Sequence, residues 1–241
     1  MPDFRNQNIG DSEEFDDDKE KIKSSLFYSL LFVGLLWLIA FFQWASGTDL
    51  SSLGVLPRKI SGLAGIFTAP LIHADFPHLI SNSVTLFLLL FSVLYFYRGS
   101  ALKVFFIIYL LDGILVWIFA RQSYHIGASG LVYGFASFLF FSGVFRKDKR
   151  SVALSLLIVF LYGGMVWGVL PVKPEISFES HLFGAVAGLF CAFTYRQVDL
   201  PPEDENEEEE IDESEDYDDG KSPEDVEIDD DAEPDDFRKL F

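Results

Sequence analysis

Six long apolar runs, separated by shorter polar stretches, account for most of the chain between residues 26 and 195. Most of them are close to the ~20 residues that a helix needs to cross a bilayer, and none shows the two-residue alternation of a strand. The pattern predicts an all-α fold, a polytopic membrane protein with a bundle of six transmembrane helices. The predicted spans are Leu26–Ala45, Leu79–Tyr97, Ala101–Ala120, Ala128–Phe145, Val152–Leu170 and Leu182–Tyr195.

Charge divides the chain into three parts. The net charge is -19, yet 23 of the 37 acidic residues follow Val198 and eight more precede Ser24. We therefore expect an acidic, disordered N-terminal tail (1–23), a membrane domain (24–198) and an acidic, disordered C-terminal tail (199–241). A solvated tail and a docking surface for an unknown basic partner both remain open for the last segment.

Basic residues lie mainly on one set of the predicted connections. By the positive-inside rule this arrangement places both termini in the cytoplasm, and we expect a multi-pass protein of a bacterial plasma membrane. The residues on the predicted cytoplasmic side are Lys19, Lys21, Lys23, Arg98, Lys103, Arg146, Lys147, Lys149, Arg150 and Arg196; those opposite are Arg58, Lys59, Arg121 and Lys173.

Polar side chains recur where the second, fourth and sixth spans begin. His78 and Asn82 are four residues apart on one helical face, Ser129 starts the fourth span, and His181 starts the sixth. All three spans begin on the outer side under the predicted topology, so these side chains share one depth. Since polar residues in a membrane are costly, this convergence indicates a functional site.

Glycines explain how two of these spans would meet. Pairs spaced four apart let helix backbones approach closely in lipid. We expect this approach to bring Ser129 within hydrogen-bond reach of His181. The pairs are Gly130 with Gly134 and Gly184 with Gly188.

A serine and a histidine at one depth suggest nucleophilic catalysis. The imidazole would take the proton of the Ser129 hydroxyl as that oxygen attacks a carbonyl. Glu179 precedes His181 by two residues and would point elsewhere on a helix, which favours a Ser–His dyad over a triad. Tyr133, one turn after Ser129, is expected to pack against the imidazole ring.

The negative charge formed in such a reaction needs hydrogen-bond donors. Unpaired N–H groups at the start of the fourth span could supply some of them. The side chains of His78 and Asn82, on the neighbouring span, could supply others.

These motifs together resemble the rhomboid family of intramembrane serine proteases. "GASG" is similar to the family's GxSG, with Gly127, Ser129 and Gly130; "HLFGAVAG" resembles HxxGxxxG; and "HADFPHLISN" resembles HxxxxHxxxN. The resemblance implies a compact six-helix bundle, a first loop partly in the outer leaflet, and cleavage of single-span membrane proteins near the outer surface. It carries the nucleophile onto Ser129, the base onto His181, and oxyanion roles onto His78 and Asn82.

The resemblance implies transmembrane protein substrates and the lipid bilayer as partners. We expect no nucleic acid or cofactor, and no metal, because no cysteine or acid lies at ligand spacing from the four histidines. The Trp-Arg pair that many members carry in the first loop is missing from this sequence, and Arg58 is a candidate to replace it.

A non-catalytic relative that binds client helices is the alternative function. A channel or transporter is a further alternative, but its path would need polar residues at successive depths, whereas these residues cluster on one side. Asp112, in the third span, is the exception, and it is either hydrogen-bonded within the bundle or part of a proton relay.

The predicted topology has a direct test. A reporter that is active only outside the cytoplasm should be silent when fused at residue 220 and active near Lys173, because the two positions lie on opposite sides. The reverse pattern would contradict both the orientation and the argument from shared depth.

Overall fold

The computed structural model describes residues 4–171 and 177–200. This part of the chain is helical, and its only β-type pairing is an isolated antiparallel bridge between Val55 and His125. The prediction of an all-α fold is confirmed. The helices are α1 (Phe4–Ser46), α2 (Gly65–Thr68), α3 (Phe76–Phe96), α4 (Ala101–Phe119), α5 (Ser129–Arg146), α6 (Lys149–Tyr162) and α7 (Phe178–Thr194).

Among the described residues, five helical segments are long and apolar enough to cross a membrane. They match the first five predicted spans, and α6 reaches this length only together with the 3₁₀ turn Gly163–Val169 that follows it. Helix α7 is apolar but has 17 residues, so the predicted count of six spans is not confirmed. Helix α1 begins at Phe4, so residues 4–23 are helical where the sequence led us to expect a disordered tail.

Short polar residues mark where several helices begin. The Asp75 side chain caps α3 by accepting from the His78 N–H at 2.7 Å, and Asp148 caps α6 by accepting from the Ser151 N–H at 2.9 Å. Ser177 caps α7, which begins four residues earlier than the apolar run suggested. The cap moves the predicted start of the sixth span from Leu182 to Phe178, so that His181 lies inside the first turn.

Helix α5 occupies the centre of the bundle. Over its most apolar stretch 56% is buried, against 17–39% for the other four candidate spans. It packs backbone to backbone on α7: a Cβ at Gly184 would overlap the Gly130 carbonyl, and a Cβ at Gly188 would overlap the Gly134 carbonyl. The small-residue edges that the sequence predicted are therefore the contact between these helices.

The connection between α1 and α3 is fastened to the end of α4. The Arg58 guanidinium donates to the carbonyls of Ile118 (3.1 Å) and Ala120 (2.8 Å), and the Trp117 indole donates to the Lys59 carbonyl at 2.9 Å. Arg58 thus satisfies carbonyls that the end of a helix leaves without an internal partner. Arg58 and the Trp117 indole thus both bind the loop to α4, and the loop itself contains no tryptophan.

The opposite end of the bundle is closed by Asp199. Its carboxylate accepts hydrogen bonds from the Gly99 N–H (2.5 Å), the Ser100 N–H (3.0 Å) and the Ser100 hydroxyl (2.7 Å). Arg150 donates to the Asp199 carbonyl at 2.7 Å. The segment after α7 therefore binds the turn that precedes α4.

The close α5–α7 contact predicts how two glycines respond to one added methyl group. Gly188→Ala should lower the free energy of unfolding by roughly 1–3 kcal/mol, because the new Cβ meets the Gly134 backbone, which cannot move aside. Thermal unfolding in detergent measures this change.

Gly34→Ala is the matched control. Nothing lies within 4 Å of a Cβ at this α1 position, so the substitution should be neutral or slightly stabilising. Equal stability of the two variants would contradict the packing described for α5 and α7.

Candidate active site

The starts of α3, α5 and α7 meet at one end of the bundle. A Cβ at Gly127 would come 2.8 Å from the His78 ring and 3.9 Å from the Asn82 amide nitrogen. His125, just before α5, is 2.6 Å from the Ser177 hydroxyl, which caps α7. The residues that the sequence placed at one depth therefore lie together.

Ser129 is the first residue of α5 and is 8% exposed. Gly127 precedes it with φ +110°, a conformation that a residue with a side chain rarely adopts, and its missing Cβ leaves room for the His78 ring. The capping residue, Ala128, has no side chain that could accept from the first N–H groups of the helix. Those donors remain directed at the space in front of Ser129.

The orientation of His181 follows from a backbone carbonyl. Its Nδ1 lies 2.8 Å from the carbonyl oxygen of Gly168. Because a carbonyl only accepts, Nδ1 must carry the proton, and Nε2 keeps the lone pair that a general base needs. Gly168 belongs to the 3₁₀ turn after α6, and nothing in the sequence pattern pointed to it.

Tyr133 holds the imidazole from its other side. The two rings are stacked, with centroids 4.2 Å apart and planes inclined by 10°. The Tyr133 hydroxyl donates to the Met165 carbonyl at 2.9 Å, so its ring is itself fixed. The packing of Tyr133 against the imidazole was predicted from its position one turn after Ser129.

Ser129 and His181 are not hydrogen-bonded to each other in the described part of the chain, and their expected hydrogen-bond reach stays a prediction. Tyr133 shares a helical face with Ser129 and stacks on His181, so the imidazole lies beside the face of α5 that carries the serine. Catalytic hydrogen bonds are often long in unliganded enzymes and tighten when substrate binds.

Glu179 takes no part in orienting the imidazole. Its Oε1 lies 3.5 Å from the Arg121 guanidinium and accepts from the Arg121 N–H at 3.3 Å. The pair ties the start of α7 to the loop that precedes α5. Its direction agrees with the prediction that Glu179 would point away from His181.

His73 is part of the site although the sequence suggested no role for it. Its Nε2 is 3.2 Å from the Asn82 amide nitrogen and accepts from the Ala128 N–H at 3.4 Å. An acceptor at Nε2 fixes the Asn82 amide with its nitrogen toward the ring. The available signal was its place as the first histidine of "HADFPHLISN".

With the geometry described, comparison with known proteins defines the family. Residues 61–198 match the family model described as "Rhomboid domain", which is more than half of the chain. The chain belongs to the rhomboid family. Rhomboid membership suggests an intramembrane protease, and it accounts for the multi-pass arrangement of apolar helices.

Several bacterial proteins are similar to this rhomboid chain. An uncharacterised protein of Mycobacterium tuberculosis is 35% identical over 173 residues, covering 68% of this chain and 72% of the relative. An uncharacterised protein of Mycobacterium leprae is 29% identical over 173 residues, with 68% of each covered. A Bacillus subtilis protein named "Putative rhomboid protease YdcA" is 30% identical over 135 residues, 53% of this chain and 65% of the relative.

The environment of His73 predicts its titration. Burial, followed by the neighbouring His78, lowers the pKa of His73 from 6.5 to about 4. A lowered pKa means that the folded protein resists protonation, so the stabilising contribution of the neutral ring is complete above pH 6.5 and is lost as the pH falls toward 4. Histidine-selective NMR of the solubilised protein should show this ring neutral at pH 5. A midpoint near 6.5 would contradict the buried acceptor role.

Proposed function

We propose that this rhomboid protein is an intramembrane serine endopeptidase with Ser129 as nucleophile and His181 as base. The observation that carries the proposal is the fixed imidazole of His181. The Gly168 carbonyl binds Nδ1 and Tyr133 stacks on the ring, which leaves Nε2 available beside the face of α5 that begins with Ser129, at an uncapped helix start. A buried serine and histidine held only for packing would not require this orientation.

The reaction follows from these groups. The Ser129 oxygen attacks the carbonyl carbon of the peptide bond while His181 Nε2 takes the hydroxyl proton. The resulting tetrahedral intermediate collapses as His181 returns the proton to the leaving amine. Water then hydrolyses the acyl-enzyme in the same two stages and restores the free hydroxyl.

His78 and Asn82 are proposed to bind the oxyanion of that intermediate. Both lie against Gly127, two residues before the nucleophile, beside the unpaired N–H groups of α5. The Asn82 amide has two N–H bonds, of which His73 engages one, so the second can donate to substrate. Donors that are already in place lose little by reorganisation during the reaction.

The proposed substrates are single-span membrane proteins cut near the outer surface. The site lies at one end of the bundle, where both water and a membrane-embedded segment can reach it. We propose that α7 completes six spans, that both termini are cytoplasmic, and that residues 24–198 form the protease domain between two acidic tails.

Paired substitutions test the dyad. Ser129→Ala and His181→Ala should each lower kcat by ~10⁴-fold or more for a generic single-span substrate, and the double variant should be little worse, because the two groups act as a unit. A fluorophosphonate probe should label the wild type and fail on Ser129→Ala. Asn82→Ala should lower kcat by ~10²-fold, the usual effect of losing one oxyanion donor.

Ser137→Ala is the matched control for Ser129→Ala. Ser137 lies on the same helix, and its hydroxyl donates to the Ala185 carbonyl of α7 at 2.7 Å. Cleavage by this variant should be unchanged. Cleavage and labelling that persist in Ser129→Ala would refute the proposed activity.

A further inference from the structure

A buried carboxyl group in α4 touches the neighbours of both proposed dyad residues. Asp112 is 7% exposed, and its Oδ2 accepts a hydrogen bond from the Ser180 hydroxyl at 3.0 Å. Ser180 immediately precedes His181. The sequence left open whether Asp112 was hydrogen-bonded within the bundle or part of a proton relay, and this contact favours the first alternative.

The same oxygen occupies the space on α5 where Gly130 lacks a side chain. A Cβ at Gly130 would overlap Asp112 Oδ2 and come 2.6 Å from the Ser180 hydroxyl. Gly130 immediately follows Ser129. One side chain of α4 therefore packs against the residue next to the nucleophile and binds the residue next to the base.

Contacts with the first loop fix the position of α4 near Asp112. Gly113 packs on Ile66 of α2, whose Cα lies 3.2 Å from a Cβ built at Gly113. Four residues later the Trp117 indole is bonded to the Lys59 carbonyl. The first loop thus holds α4 in place beside Asp112.

The surroundings of Asp112 give no stability reason for an acid there. None of the described residues forms a salt bridge with it, and Oδ1 is buried with no hydrogen-bond partner. A buried polar group that is only half satisfied is less favourable than an apolar side chain of similar size. Its presence in a membrane helix indicates a functional role.

We propose that Asp112 is a positioning residue that sets the spacing of α5 and α7 at the active site. It acts through Ser180 and Gly130 and touches neither reacting atom. The inference rests on the proposed peptidase function and adds to it the group that fixes the positions of Ser129 and His181 relative to each other. Small displacements of reacting groups lower the chemical rate far more than they lower substrate binding.

The test measures kcat, KM, the rate of fluorophosphonate labelling and the melting temperature of the full chain. Asp112→Ala should lower kcat and the labelling rate by ~10²-fold, with KM within about twofold of the wild type. Asp112→Asn should recover most of the rate, because its amide oxygen keeps the shape and accepts from Ser180. Ser180→Ala should also be slow, and combining it with Asp112→Ala should add little, since both remove one hydrogen bond.

Val104→Ala is the control for general destabilisation. It removes part of a fully buried side chain two turns away on the same helix, so it should lower the melting temperature and leave kcat unchanged. Wild-type kcat in Asp112→Ala, no recovery in Asp112→Asn, or an equal loss of kcat in Val104→Ala would each overturn the positioning role. Activity of Ser129→Ala would instead refute the peptidase function, which separates the two failures.

Discussion

Direct backbone contact between α5 and α7 is the constraint on which the rest of the structure depends. Gly184 rests on the carbonyl of Gly130, and one turn further Gly188 rests on that of Gly134. In lipid there is little hydrophobic gain from pairing two apolar helices, so close packing of this kind carries the association. Because the helices touch here, Ser129 at the start of α5 and His181 in the first turn of α7 lie near each other.

At the proposed active site a backbone carbonyl orients the histidine, as a carboxylate does in many serine hydrolases. The Gly168 carbonyl sets the tautomer of His181, and an uncapped helix start supplies N–H donors near Ser129. A carbonyl carries only a partial charge, which suits a region where an unpaired carboxylate would be costly to bury. Asp112, the acid of α4, contacts Gly130 and Ser180, the residues next to the proposed dyad.

The sequence singled out residues whose own type and depth point to chemistry, and their catalytic roles stay predictions. Ser129 and His181 start apolar runs, where a polar side chain stands out. Contacts between distant segments were not predictable: Gly168 acts through its carbonyl, which every residue has, and His73 binds Asn82 only because the first loop folds back over α3. The length of α7 was misjudged for a related reason, since hydropathy does not register the Ser177 cap.

The hydrogen bonds of Asp199 link the order of synthesis to the order of assembly. Asp199 follows the start of α4 by about a hundred residues, so the Gly99 and Ser100 N–H groups just before α4 are synthesised well before the carboxylate that binds them. The turn before α4 therefore gains its full set of hydrogen bonds only after translation has passed residue 199. A segment made late in synthesis completes a turn made near the middle of the chain.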